Sequence, residues 1–218
     1  GVLRLAATDS FRLAEEVISF EEKEEKKSGE PESHSCILPN TVLHELLRVI
    51  TPENKFIQMA FLENQVFFEI DGIEITSRIL NGKYPDYQQI IPKEFSTQVV
   101  FERALLQRAL KIAGSLSSYT SGEIALVFDE QAQSCTFLSR SQEIGENKTV
   151  LPVEFLKGGA PLTLLFNPRY VLEGINALSG EKILFCANTA TSPVALRLMD
   201  EEAKIQDEYL YLVMPIRK

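Results

Sequence analysis

The chain has 218 residues, with 22 Lys and Arg against 31 Asp and Glu, giving a formal charge of −9. That length holds one or two domains with a sizeable apolar core, and a composition 44% hydrophobic and 24% charged excludes the disordered, fibrous and membrane-spanning classes. Net charge of this sign also excludes a surface that coats nucleic acid throughout, but leaves room for a local basic face.

Gly1, not Met, leads straight into the strand-like runs Leu3–Ala7 and Leu13–Phe20, and no basic segment followed by an apolar one opens the chain as a signal peptide would. Residues 21–33, EEKEEKKSGEPES, carry mixed charge with Gly and Pro and no apolar side chain, which reads as a solvated loop or hairpin tip. Short β-rich runs then recur at Lys55–Met59, Gln65–Ile70, Ile73–Leu80, Ile124–Phe128, Ser134–Leu138, Ile183–Ala187 and Val194–Met199. Turn signals separate them, among them Glu63-Asn64, Asp71-Gly72, Asn81-Gly82, Asp129-Glu130 and Asn188-Thr189. Apolar runs break within about ten residues, where a bilayer helix needs roughly 20. Cys36, Cys135 and Cys186 match no zinc spacing and cannot all pair, so reduced thiols in a cytoplasmic protein are expected.

Three segments switch to helical spacing: ILPNTVLHELLRVI (37–50), VVFERALLQRALKIA (99–113) and LLFNPRYVLEGINAL (164–178). Each begins as an apolar strand and continues into about three turns of amphipathic helix. Aligning Leu43, Leu105 and Leu172 gives spacings of 62 and 67 residues, an internal repeat of strand, helix and further strands. Two repeats fill the segment after Pro92, with helices near 102–113 and 168–178, while the segment before it holds one helix. The expectation is therefore a partial domain over 1–92, short of one half-unit at its start, and a complete domain over 93–218.

On the second helix Arg103, Gln107 and Lys111 form an i, i+4, i+8 polar stripe opposite Leu105, Leu106, Ala109, Ile112 and Ala113. Arg48 on the first helix, and Arg169, Tyr170, Glu173 and Asn176 on the third, occupy corresponding outer positions, so the helices are neutral or positive while the loops carry the acid. Segregation of this kind suits a polyanion bound along one selected surface, although surface helices collect Lys and Arg in any case. Neither His34 nor His44 sits in a nucleophile or metal-ligand pattern, and Gly158-Gly159 lacks the strand-loop-helix setting of a phosphate loop. An enzyme is disfavoured, and no metal or cofactor is expected.

LRLAATDSFRLAE (3–15), ILNGKYPDYQQIIP (79–92), FNPRYVLEGINAL (166–178) and the terminal YLVMPIRK, taken with the repeat, resemble the β subunit of bacterial DNA polymerase III, the sliding clamp, from Leu3 to Lys218. The combination of ATDxxRLA, GxxPDY and VMPxR is specific where each alone is weak. The resemblance implies an α+β clamp fold with helices along a channel and antiparallel sheets outside, and it equates this chain with the later part of a middle domain followed by a C-terminal domain. It implies an accessory protein, not an enzyme, that encircles duplex DNA without reading sequence and joins head to tail with a second copy when full length. DNA-facing positions by resemblance are Arg48, Arg103, Gln107, Lys111, Asn167 and Tyr170; Asn40-Thr41 replaces a basic pair common in the family.

The resemblance also implies a pocket for short linear peptides of polymerase III subunits, the clamp loader and other replication and repair proteins. Its matching residues are Thr8, Ser10, Phe11, Arg12 and Leu13, then Pro85, Gln89 and Ile90, then Thr191 and Pro193, and finally Leu212, Val213, Met214, Pro215, Ile216 and Arg217. Leu13, Ile90, Leu212 and Val213 are expected to supply apolar walls, Met214 an adaptable one, and Arg12 and Arg217 to orient polar or acidic groups. Phe11 stands where His is common and Gln89 where Arg is often found. A peptide-binding scaffold with no role on DNA is the alternative.

Overall fold

A computed structural model describes residues 1–20, 34–117, 122–141, 143, 145–158, 161–200, 202 and 204–217. The charged run 21–33 and Gly159 lie outside the described residues. Contacts divide the chain into two compact units, Gly1–Glu22 with Gln88–Lys218, and Lys23–Tyr87.

The larger unit is built on one seven-stranded and one four-stranded sheet. It begins with a hairpin, β1 (Val2–Thr8) and β2 (Arg12–Ser19). After residue 88 come β6 (Thr97–Glu102), α2 (Arg103–Ser117), β7 (Ile124–Asp129), β8 (Ser134–Ser141), β9 (Gly145–Pro152) and β10 (Glu154–Lys157). The second repeat is β11 (Leu162–Phe166), α3 (Pro168–Ala177), β12 (Lys182–Ala187), β13 (Val194–Met199) and β14 (Ile205–Val213). Sheet orders are β1-β2-β14-β13-β12-β6-β10 and β11-β7-β8-β9. The strand that leads into each helix therefore pairs with the meander of the other repeat: β6 with β12, and β11 with β7. Neither repeat completes its sheet alone.

Strand alternation feeds the core between these sheets and the two helices. In β7, Ile124, Leu126 and Phe128 point inward, as do Cys135 and Phe137 of β8. Phe101 meets Phe128, Phe137 and Phe185 edge-on, with centroids 5.9 to 6.4 Å apart. Burial pushes the Cys186 thiol up to about 12 and the Cys135 thiol higher still, so both behave as core side chains rather than nucleophiles.

The helix α2 buries Leu106, Ala109, Leu110, Ala113 and Ser117. Ile112, expected inside, is 45% exposed, and Leu110 takes the inward position one turn after Leu106. The partner helix explains this rotation. Arg103 Nε donates to the Ile175 carbonyl at 3.2 Å and Gln107 Nε2 to Asn176 Oδ1 at 2.8 Å, while a Cβ on Gly114 would touch Pro168 at 3.4 Å. The two helices thus run in opposite directions along one another.

The smaller unit holds α1 (Asn40–Val49) and a three-stranded sheet of β3 (Gln58–Phe61), β4 (Gln65–Ile70) and β5 (Ile73–Arg78). Val42 and Leu46 pack with Val66, Phe68 and Ile70. Asp71 and Gly72 take φ of 48° and 83° between the paired Ile70 and Ile73, the primed two-residue turn that their sequence predicts. The expected strand ahead of α1 is not formed: residues 34–39 are irregular, and Pro39 immediately precedes the helix.

Candidate functional site at one end of the large sheet

Register gathers the distant motif segments. Leu13 pairs with Leu212, Leu212 with Ala195, Ala195 with Cys186, and Cys186 with Gln98. This row lies near the starts of β2, β13 and β6 and the ends of β14 and β12. The turn 9–11, the loop 188–193 and the tail 214–217 consequently leave the sheet on the same side, and segment 88–96 enters there, fixed by Asn188, whose side chain accepts from Ser96 N at 2.7 Å and donates to the Glu94 carbonyl at 2.8 Å. Met214 N donates to the Phe11 carbonyl at 2.8 Å, carrying the ladder beyond the strand, and Ile216 N donates to the Leu165 carbonyl at 2.7 Å.

Sequence dictates the turn itself. Asp9 Oδ1 accepts the backbone N–H of Phe11 and of Arg12, both at 3.1 Å, and Thr8 Oγ1 donates to the Arg12 carbonyl at 2.7 Å. Ser10 closes the bend in the left-handed region, φ 74°. Phe11 is thereby held 58% exposed, its ring stacked 6.1 Å from Tyr170 at 27°.

Arg12 projects toward α3. Its guanidinium lies 4.6 Å from the Tyr170 ring centroid, Nε donates to Asp9 Oδ2 at 2.9 Å, and Nη1 donates to Glu173 Oε2. Glu173 Oε1 also accepts from Arg169 Nε at 2.6 Å. Partial burial would lower the Arg12 pKa, but the bonds to Glu173, Asp9 and Tyr211 raise it further above its ordinary value. Burial likewise acts to raise Asp9, yet the Arg12 side chain and two backbone N–H groups hold it below the usual carboxylate range. Glu173 is lowered by Arg169 and Arg12. Two arginines and two carboxylates cancel here, and Arg12, expected to orient polar or acidic groups, is held within the fold by Asp9 and Glu173.

The expected apolar walls do not share a face. Leu13 and Leu212 lie opposite one another on one side of the sheet, and Val213, opposite Arg12, points to the helix side; all three are at most 2% exposed. Exposed surface comes from Thr8, Ser10, Phe11, Gln89, Ile90, Thr191 and Arg217, with Met214, Ile216 and Pro193 half-buried and Pro215 buried. Pro85 belongs to the smaller unit, where its carbonyl accepts from Tyr87 N at 2.8 Å.

Of the expected DNA-facing residues, Lys111 is exposed, Arg103 and Gln107 are half-buried and tie α2 to α3, and Arg48 is exposed but paired with Glu45 at 3.1 Å. Asn167 caps α3, accepting from Arg169 N at 3.0 Å. Tyr170 stands beneath Phe11 and Arg12, and its carbonyl accepts from Tyr211 Oη at 2.8 Å, so it belongs to the sheet-end cluster. Glu173 and Tyr211 were missed as members of the cluster because only the crossing of α3 over β14 brings them there. Arg108, exposed beside Lys111, was missed because the i, i+4 stripe bypasses it.

Comparison with known proteins identifies the family and the fold. The family model for the C-terminal domain of the DNA polymerase III beta subunit matches residues 88–217, and that for its central domain matches residues 2–86. The chain belongs to the DNA polymerase III beta-subunit family. It is 33% identical over 218 residues to the beta sliding clamp of Synechococcus elongatus, covering 99% of this chain and 55% of that protein. The Streptococcus pneumoniae beta sliding clamp is 27% identical over 216 residues, covering 99% and 53%. Among solved structures, the beta chain of DNA polymerase III from Streptococcus pneumoniae aligns with a TM-score of 0.86 at 27% identity, over 100% of this chain and 54% of that one. The corresponding protein from Thermotoga maritima gives 0.85 at 28%, over 100% and 55%. The chain thus spans about half the length of these relatives, and the α+β clamp fold expected from sequence is the one observed.

Proposed function

We propose that this chain contributes the peptide-docking end and part of the DNA-facing wall of a replicative sliding clamp, a processivity factor with no catalytic step of its own. Residues 1–92 serve in this reading as part of a middle domain and 93–218 as a C-terminal domain. The supporting observation is the convergence of three sequence-distant segments, 8–13, 191–193 and 212–217, at one sheet end that displays the Phe11–Tyr170 pair beside half-buried Met214 and Ile216. A short linear peptide fits such a place because a few apolar side chains carry its affinity and exposed ladder ends orient its backbone. Partners are then the polymerase and clamp-loader proteins that carry such peptides in the cytoplasm.

The outer surface of α2 and α3 carries Arg108, Lys111 and Arg169. Exposed cations of this kind make weak, water-screened contacts with phosphates, which permits sliding where tight pairing would brake it, and a ring supplies retention by topology. No helix is long and apolar enough to cross a membrane, and no group of three or more metal-binding side chains occurs among the described residues. Calorimetric titration with a QLxLF-type peptide tests the docking reading: binding of roughly micromolar affinity is expected, weakened in a folded Met214→Ala variant. No heat of binding to a folded chain would remove the docking function, and an unchanged affinity in Met214→Ala would remove that residue.

A further inference from the structure

The carboxylate of Glu173 is shared between two arginines that serve different surfaces. Arg169, with its side chain 79% exposed, lies on the outer side of α3, and Arg12, 25% exposed, is packed against Tyr170 within the sheet-end cluster. From Arg169 an unbroken line of charge-assisted hydrogen bonds runs through Glu173, Arg12 and Asp9 to the backbone N–H groups of Phe11 and Arg12. We propose that Glu173 couples the occupancy of Arg169 by a polyanion to the order of the turn that displays Phe11. The ligands at the two ends rest on the function proposed above; the coupling itself rests on the shared carboxylate.

The direction follows from competition. The Arg169–Glu173 pair is an exposed i, i+4 contact, the weakest link of the line and the one most sensitive to salt. Phosphate oxygens, even in screened contact, compete with Glu173 for this exposed guanidinium and draw it away. Glu173 then turns wholly to Arg12, which cannot follow because Asp9 and the Tyr170 ring hold it in place. Anion at Arg169 therefore tightens the turn, and a peptide that needs the turn ordered binds more firmly. Reciprocity requires the peptide to favour the anion by the same factor. Exchange of one exposed pair sets that factor at about twofold.

Two measurements on the isotopically labelled chain test this: hydrogen-exchange protection of the Phe11 and Arg12 amides, and the Kd of the peptide QLSLF, each with and without a short DNA duplex at low salt. The duplex is expected to raise protection of both amides and lower the Kd about twofold. Arg169→Gln, which removes the competitor, is expected to raise protection without DNA and to abolish the response to it, and Glu173→Gln to lower protection and abolish the response. Unchanged amide protection in folded Arg169→Gln overturns the coupling, as does a duplex that shifts the Arg169 resonances and leaves the turn amides unmoved. An amide response in a chain that does not bind QLSLF upholds the coupling and overturns the peptide reading instead.

Discussion

Gly174 has no room for a methyl group: a Cβ there would lie 2.4 Å from two ring carbons of Tyr211, whose hydroxyl is fixed on the Tyr170 carbonyl. Gly174→Ala is expected to cost about 1–3 kcal/mol, read from urea unfolding, because a buried ring must move against both sheet and helix. The carboxylates of the turn make a second prediction. Asp9 and Glu173 have folded pKa values below their unfolded ones, so the stability they contribute is present above about pH 4 and lost as pH falls through the lowered values. Asp9→Asn and Glu173→Gln variants are therefore expected to lose less stability than the parent between about pH 5 and pH 2. Identical acid limbs in parent and variants would mean that neither carboxylate is held as the structure has it. The turn at Asp9 and Ser10 was not among the turn signals of the sequence, because Asp9 caps it as Asp commonly does but a left-handed Ser10 is not announced by its residue type. Commitment of Arg12 was not legible, because its partner lies 161 positions away.

At the scale of the element, α2 shows what periodicity conveys and what it leaves open. Leu105, Leu106, Ala109, Leu110, Ile112 and Ala113 share an arc of about 160°, wider than the face that is buried, so spacing establishes the helix but not its exact rotation. Packing against α3 decides that, leaving Leu110 1% and Ile112 45% exposed. Leu110→Ala is expected to cost about 2–5 kcal/mol in chemical denaturation, and Ile112→Ala within about 0.5 kcal/mol. Equal costs would contradict the observed rotation. Strand positions were easier to read, as in β4 and β13, whose bounds coincide with the sequence-derived runs. The side of the sheet each residue joins was harder: Leu13, Leu212 and Val213 look alike as apolar residues, but period two sends Val213 to the opposite face.

At the scale of the molecule, the repeat spacing near 65 residues was legible, while the exchange of lead strands between repeats was not. Pairing of β6 with β12 and β11 with β7 is a long-range choice that no local pattern encodes. The same holds for β1 and β2, which join the sheet through β14 nearly the whole chain away. That pairing sets the two halves of the ATDSFRLA and VMPIR signals side by side, and the proposed docking depends on it. The direct test is to map a QLxLF-type peptide onto the labelled chain by amide chemical-shift perturbation. Perturbations are expected to concentrate at Thr8–Leu13, Thr191, Ser192, Tyr170 and Leu212–Arg217, with none at the β7–β8 turn of Glu130–Gln133; saturable perturbations centred elsewhere, or none at all in the folded chain, would contradict docking at this sheet end.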